Sequence, residues 1–305
     1  MQVRGTFPAL YDNLDKTIRA ILKDSLKELA PIYTGYFNEQ SSDRKFETQQ
    51  SLTPFGDVPE KPEGEVYALD LLRPAHRKDF IHTSYGLGFE VTEEAEDDDQ
   101  YDVLSRAGQW LAFSARYAQE QRAAAIINNG FATETTGNGR PLFDTAQVLA
   151  GGGTASNELS PGADLSFTSL SNALVQMQLQ TKVESGQIVM PIKQLILLVP
   201  PALEFTAYRI VNSAGLPGSA DNDKNPIAAL RGIKIVVNPH LTDTNAWFLI
   251  AAQKSMHGLL TYVRKPITQV PVRFDPHTEN KIVKIRFRQS WGAWMWQGLF
   301  ASEGS

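Results

Sequence analysis

The chain lacks cysteine altogether, and it has neither a long apolar run nor an excess of positive charge. Without cysteine there are no disulfide bonds, no thiolate nucleophiles and no cysteine-ligated zinc or iron–sulfur centres. Because no run of about 18 apolar residues occurs and the N-terminus does not resemble a signal peptide, we expect a soluble protein made in a cytoplasm, with no membrane partner. The net charge of −5 means that any contact with nucleic acid should be local and weak.

Sequence motifs of catalysis are missing as well. There is no Gly-x-Ser-x-Gly elbow and no Gly-x-x-x-x-Gly-Lys phosphate loop, and the Gly-x-Gly at Gly86 and Gly88 lies in a strand pattern rather than before a helix. The histidines are scattered without metal-ligand spacing, and each is interpreted as a surface residue or a satisfied polar residue. They are His76, His82, His240, His257 and His277. We therefore expect no enzyme, no metal and no cofactor.

What the chain does contain is an alternation of helical and strand patterns. With 305 residues, of which 42% are hydrophobic, it can bury a sizeable core in one large domain or two interleaved ones. The expected helices are Asn13–Ala30, Ser166–Glu184 and a segment from Pro200 to Asn212. The expected strands are Phe80–Thr92, Gln194–Val199, Ile233–Asn238, Ala246–Ala252, Val270–Phe274 and Ile282–Gln289. This order predicts an α+β protein with a central sheet and helices packed against it.

A polar hairpin is expected between Asp43 and Phe80. Its legs, Arg44–Leu52 and Glu65–Leu72, flank a tip rich in proline and glycine, where missing N–H groups and permissive backbone angles end strand pairing. Neither leg carries enough apolar surface to fold alone. The pattern therefore favours a projecting arm that finds its missing contacts in neighbouring copies of the chain.

A long helix is expected at Asp98–Asn128. At 1.5 Å per residue it would be about 45 Å long, whereas a compact chain of this length has a radius of gyration of about 19 Å. We interpret Leu111 and Ala115 as part of its packing seam, with small residues allowing a sheet or helix to approach closely. The aromatic residues that we expect to widen this seam are Trp110, Phe113 and Tyr117.

Two charged patterns stand out beside the helix. Six acidic residues lie between Glu93 and Asp99, where carboxylates are favoured by the unpaired N–H groups and the positive dipole end of a helix. A calcium site, or a contact with basic residues of another copy, are the alternatives for this run. In the strand Ile282–Gln289, the cations Lys284, Arg286 and Arg288 alternate with apolar residues. That face is either solvated, or it meets the acidic run of another subunit or the backbone of DNA.

The order of these elements resembles a known family. The segments that carry the likeness are Phe89–Glu94, Asp97–Tyr101, Asn128–Phe131, Gly139–Phe143, Leu197–Glu204, Ile235–Pro239 and Trp247–Leu249. Together they resemble the major capsid (major head) protein of tailed double-stranded DNA phages, which has the Hong Kong 97-type fold. The likeness is closest to the Mu-like major head subunits, and it covers nearly the full chain.

The resemblance implies a structural protein of the virion that assembles with copies of itself, as hexamers and pentamers, into an icosahedral head. Assembly would take place in the cytoplasm of a bacterial host. Portal, scaffolding and decoration proteins are the further partners it implies, with weak non-specific contact to enclosed double-stranded DNA. Candidate intersubunit contacts are Pro54, Phe55, Lys61, Glu93, Glu94, Asp97, Asp98, Arg286 and Arg288.

The resemblance also implies a division of the chain. Residues 1–38 would be an N-terminal arm, and residues 39–80 the extended hairpin loop. Residues 81–137 and 265–290 would form a peripheral domain that includes the spine helix 98–128, and residues 138–264 and 291–305 an axial domain. Two rivals remain at this stage, namely a nanocompartment shell similar to the encapsulins, and a soluble oligomeric enzyme.

Overall fold

A computed structural model describes residues 8–52, 58–69, 71, 74–92, 103–149, 152–180, 194–215, 224–230, 232–274 and 280–305. The helices are α1 Pro8–Glu28, α2 Val103–Asn128, α3 Phe167–Gln178, α4 Glu204–Asn212 and α5 Pro226–Leu230. The first six strands are β1 Asn38–Ser41, β2 Phe46–Leu52, β3 Pro74–Ile81, β4 Thr83–Val91, β5 Gln147–Val148 and β6 Thr154–Ala155. The remaining strands are β7 Leu195–Val199, β8 Ile233–Val237, β9 Trp247–Ala251, β10 Leu259–Phe274, β11 Lys281–Ala293 and β12 Leu299–Ser302.

Two four-stranded sheets and two small ribbons organise these strands. The first sheet has the order β1-β10-β11-β4, in which β1 is parallel to β10 and the other pairs are antiparallel. The second sheet has the order β12-β9-β7-β8, with only β7 and β8 parallel. Strands β2 and β3 form a separate antiparallel ribbon, and so do β5 and β6. The described strands therefore place the hairpin outside both main sheets.

The second sheet is covered on both faces, which explains why β7 consists of five apolar, fully buried residues. Its side chains alternate between two cores. Leu195, Leu197 and Val199 pack in a cluster that also contains residues of α3 and α4. Ile196 and Leu198 pack with aromatic residues of the N-terminal segment, including Tyr36 and Phe37. Because both of its faces are buried, this sheet lies at the centre of its half of the molecule.

Helix α2 packs on one face of the first sheet, and at about 39 Å it reaches from one core to the other. Leu111, Ala112 and Ala115 pack in one cluster with Ile18 and Leu22 of α1 and with alternate residues of β11. Towards its C-terminus, Ala123 and Ile127 belong to the core of the second sheet. The helix therefore joins the two sheets. Its predicted end at Asn128 is confirmed, while residues 98–102 of the predicted start lie outside the described residues.

The returning leg of the hairpin differs from the sequence expectation. β2 pairs with Pro74–Ile81 and not with Glu65–Leu72, from Phe46 opposite Ile81 to Leu52 opposite Pro74. Phe80 fixes this register because its ring is buried at 2% exposure and packs edge-on against Tyr262, with ring centroids 5.3 Å apart. Pro74 closes the ladder, as a residue without an N–H is tolerated at a strand end.

Other boundaries also differ. The helix expected to reach Glu184 ends at Gln178, because the Gln180 side chain turns inward and donates to the Leu299 carbonyl at 2.7 Å. The strand expected over Phe80–Thr92 is interrupted at His82. β10 begins at Leu259 rather than Val270, and irregular pairing around Lys265 accommodates the proline that follows it.

Candidate assembly surfaces

The root of the hairpin is fixed by a chain of hydrogen bonds through His82, which lies between β3 and β4. Its Nδ1 lies 3.0 Å from Ser290 Oγ, and its Nε2 lies 3.0 Å from Ser42 Oγ. Ser42 Oγ in turn donates to Glu47 Oε1 at 2.7 Å. Burial lowers the pKa of His82, and the nearby cations Arg288 and Arg264 lower it further. The neutral imidazole thus joins the hairpin to the first sheet.

A second set of contacts holds the same inward face of the ribbon. The Lys78 ammonium lies 3.1 Å from a carboxylate oxygen of Glu134 and also donates to the Thr135 carbonyl. The Gln49 amide donates to the Tyr262 hydroxyl. Because these contacts reach both the first sheet and the loop after α2, the direction of the ribbon is determined by the body of the molecule.

Beyond the ribbon, the described part of the hairpin loop exposes apolar side chains. Val58, Val66 and Leu69 are 96%, 92% and 93% exposed. Of the sequence-predicted contact residues, Lys61 lies here, with its ammonium 4.8 Å above the Tyr67 ring. Pro54 and Phe55 lie outside the described residues. Apolar groups that are so fully exposed on an extended segment indicate a surface for association.

Helix α2 exposes an aromatic row that the sequence analysis assigned to its packing seam. Trp110, Phe113 and Tyr117 are 65%, 57% and 45% exposed, so the expected widening of the seam is wrong. The rings of Phe113 and Tyr117 stack with centroids 6.3 Å apart. The three residues are spaced at i, i+3 and i+7, which places them on one helix face, away from Leu111. This spacing in the sequence indicates a second apolar face, separate from the packing seam.

The cationic alternation predicted on β11 is present. Lys284 and Arg286 are exposed, whereas Val283, Ile285 and Phe287 are buried beneath α2. Arg288 is half-buried, and its guanidinium donates to the His82 carbonyl at 3.4 Å. The acidic residues proposed to meet these cations, namely Glu93, Glu94, Asp97 and Asp98, lie outside the described residues. The structure thus brings the cations together on one sheet face.

The N-terminal segment is joined to α2 by a buried carboxylate that sequence analysis missed. Glu120 accepts hydrogen bonds from the backbone N–H groups of Ile32 and Tyr33, where a short 3-10 helix begins. Burial raises the pKa of Glu120, although these two hydrogen bonds act in the opposite direction. Beside it, Arg116 donates to the Leu26 carbonyl at 3.1 Å. A lone glutamate within a helix pattern gave no signal of this role.

Among the described residues, no group of three His, Asp or Glu side chains lies close enough to hold a metal ion. No helix within the described ranges is both long and apolar enough to span a membrane. The notable surfaces are the exposed hairpin loop, the aromatic row of α2 and the cationic face of the first sheet.

Comparison with known proteins gives one family. A protein-family model described as phage capsid protein matches residues 80–302. No curated protein matches the chain significantly in sequence.

Solved structures similar to the chain are shells and capsids. The virus-like particle from Pyrococcus furiosus matches with a TM-score of 0.55 at 13% identity, over 94% of this chain and 98% of that one. The capsid of cyanophage P-SCSP1u gives 0.56 at 12% identity, over 89% and 87%. Mycobacterium phage Che8 gives 0.56 at 13% identity, over 90% and 93%. At these identities the likeness concerns the fold, and it fits the Hong Kong 97-like capsid fold expected from the sequence.

Proposed function

Because this chain belongs to the phage capsid protein family, we propose that it is the major head subunit, which assembles as hexamers and pentamers into an icosahedral shell around a double-stranded DNA genome. It is a structural component of the virion. Its assembly takes place in the cytoplasm of a bacterial host. Among phage heads, the sequence likeness favours the Mu-like group.

The observation that carries this proposal is the apolar surface left exposed by a single copy. Val66 and Leu69 on the hairpin loop and Trp110 on α2 are each more than half exposed. Large apolar side chains exposed close together mark interaction surfaces, and obligate interfaces are large and apolar. Neighbouring copies supply the contacts that bury these side chains.

The division of the chain suggested by the resemblance becomes part of the proposal. Residues 1–38 form the arm and residues 39–80 the hairpin loop that lies over the next subunit. The peripheral domain comprises residues 81–137 and 265–290, and the axial domain residues 138–264 and 291–305. The β2–β3 ribbon lies outside both main sheets, which supports a separate hairpin loop, whereas residues 39–41 pair with β10 in the first sheet.

Partners of the shell follow from the same proposal. Portal, scaffolding and decoration proteins bind the assembled copies, and the enclosed DNA is held by weak, non-specific contact. The net charge of −5 supports weak contact with DNA, because the chain has no overall basic field. Lys61, Arg286 and Arg288 are exposed or half-buried, as intersubunit contacts require.

Deletion of residues 53–64 tests the role of the hairpin. We expect the shortened subunit to keep the circular dichroism spectrum and denaturation midpoint of the parent, because the described part of the deleted stretch, residues 58–64, is exposed and outside both main cores. It should no longer close shells in electron micrographs. A matched variant, Val66→Ser with Leu69→Ser, keeps the loop length and removes only apolar surface, so it should reduce shell yield as well. Normal shells from the deletion would refute the assigned role.

A shell that carries protein cargo is the second candidate function. It is favoured by the similarity to the virus-like particle from Pyrococcus furiosus, which extends over nearly the whole of both chains. Nuclease-protected DNA inside purified particles, together with a portal vertex, supports the phage head. Particles that contain protein and no DNA support the cargo shell, and a small oligomer on size-exclusion chromatography contradicts both.

A further inference from the structure

The first sheet is much richer in positive charge than the chain as a whole. Its four strands together contain seven cationic residues and two carboxylates, whereas the whole chain has more acidic than basic residues. The carboxylates are Glu39 on β1 and Glu90 on β4, and Glu90 accepts a hydrogen bond from the Asn280 amide at 2.7 Å. Four of the cations lie on the face opposite α2, as the strand register shows. They are Lys265, Lys284, Arg286 and Arg288.

Glycine residues leave an open groove beside this cationic row. Gly88 lies opposite Lys284 and Gly86 opposite Arg286 in the β4–β11 register. A Cβ atom at Gly88 would lie 2.7 Å from Lys284 Cγ, so a side chain there would displace the lysine from its position across the strand. The resulting shallow groove has a volume of about 490 Å³ and is lined by both strands and by Val270 of β10. Glu90 lies at the Ile282 end of this lining, next to Lys284 and Arg286.

The exposed cations have no charge partner within the part of the chain that the structure describes. The ion pairs of the described residues join other side chains, and none includes Lys265, Lys284 or Arg286. Like charges placed side by side on a strand repel one another. An anionic occupant would therefore stabilise this face.

The chain itself contains a segment of the required charge. Residues 93–99 include six carboxylates, and the chain has no other acidic run of this density. Charge complementarity between a row of exposed cations and a run of carboxylates fixes the register of an interface and speeds encounter. The segment connects Val91, at the end of β4, to the start of α2 at Val103.

Geometry favours a segment from another copy over the chain's own. Val91 pairs with Lys281, and Arg288 lies about 23 Å farther along β11 at about 3.3 Å per residue. The connection from Val91 must return to α2, which covers the opposite face of the sheet. Its fully extended length is about 43 Å at most, whereas a path along the row to Arg288 and back needs about 46 Å. The chain's own acidic run is thus too short to lie along the whole row.

We propose that the cationic row Lys284, Arg286 and Arg288, with the groove beside its first two members, binds the acidic segment 93–99 of a second copy of the chain. This contact rests on the proposed function and specifies one interface between subunits of the shell. DNA is the alternative occupant. A neighbour's acidic segment would place its carboxylates directly on the row, and the charge-exchange variants below distinguish the two occupants.

Engineered disulfides test the contact cleanly because the chain has no cysteine of its own. The double variant Arg286→Cys with Glu94→Cys is assembled and then oxidised. A contact between copies should give a ladder of disulfide-linked oligomers on a non-reducing gel. The control pairs Glu94→Cys with Lys234→Cys, an exposed position on β8 of the other sheet, and should give no ladder. Particles that contain only internally linked or unlinked monomers overturn the proposal.

Charge exchange provides a second measurement that does not depend on disulfide geometry. Lys284→Glu with Arg286→Glu should lower particle yield about tenfold, since like charges then face each other. Adding Glu93→Lys and Glu94→Lys to the same chain should restore the yield. If the first pair leaves particle yield unchanged and lowers the DNA content instead, the face binds DNA and the proposal is wrong. If the parent chain forms no particles, the proposed function fails together with this contact.

Discussion

Burial sets the ionisation of single residues in both cores. His257, at 2% exposure, accepts a hydrogen bond from the Leu259 N–H at 3.3 Å. Burial lowers the pKa of His257 to about 4, and the charge of Lys254 acts in the same direction. In the other direction, burial raises the pKa of Tyr33 to about 12 although Gln289 donates to its hydroxyl. Both side chains are therefore neutral at physiological pH.

The pH dependence of His257 gives a residue-scale prediction. Its pKa rises from about 4 in the folded chain to about 6.5 on unfolding, so the unfolded state binds more protons between these values. The unassembled subunit should lose about 3 kcal/mol as the pH falls from 6.5 to 4. In His257→Asn, whose amide oxygen can still accept from Leu259, this loss should be absent.

Urea denaturation of unassembled subunits across that pH range measures the effect. His240→Asn is the control, because it removes a partly exposed histidine that packs edge-on against Tyr117. A His257→Asn profile as steep as that of the parent would show that other groups dominate acid sensitivity.

At the scale of elements, the end of α2 depends on the close approach of Gly130 to the Phe143 ring. Gly130 follows the helix, and a Cβ atom there would lie 2.7 Å from Phe143 Cδ2 and 2.9 Å from the Ile127 carbonyl oxygen. The Phe143 ring is fixed between Phe131 and Phe248, with centroids 5.1 and 5.4 Å away. Neither neighbour can move without disturbing the core.

Gly130→Ala should therefore destabilise the unassembled subunit by about 1–3 kcal/mol through overpacking. Gly232→Ala is the matched control, because nothing lies within 4 Å of a Cβ at that position. Its free energy of unfolding should stay the same or rise slightly, since alanine restricts the unfolded chain. Equal effects of both substitutions in chemical denaturation would mean that the contact with Phe143 is unimportant.

The elements that sequence predicted well are those in which local pattern and burial agree. Leu195–Val199 and Trp247–Ala251 are uninterrupted apolar runs at the centre of a sheet, and each lies within one residue of its expected bounds. The return leg of the hairpin was wrong, because its register depends on a contact between Phe80 and the distant Tyr262. The aromatic row of α2 was assigned to the wrong face, because spacing alone does not say which of two apolar faces meets the sheet. Local pattern carries no information about such long-range choices.

At the scale of the whole molecule, the two faces of α2 differ in role. One face is buried within the folded subunit, and the other is exposed and available for assembly. Leu111 is 4% exposed and packs against the first sheet and α1, whereas the adjacent Trp110 is 65% exposed. Burial of Leu111 stabilises the single subunit. Within the described ranges, the aromatic row is only partly packed, through the contact of Tyr117 with His240. We therefore expect its further burial when subunits meet.

Substitutions at these neighbouring positions should have opposite consequences. Trp110→Gln with Phe113→Gln should change the unfolding free energy of the subunit by less than about 0.5 kcal/mol, because both side chains are already in water. It should lower particle yield about tenfold, since aromatic anchors dominate interface energies. Leu111→Ala should cost the subunit about 2–5 kcal/mol through the cavity that it leaves. Denaturation of unassembled subunits measures the first effect, and sedimentation of particles measures the second. If the aromatic variant gives as many particles as the parent chain, the aromatic row lies on a free surface of the shell.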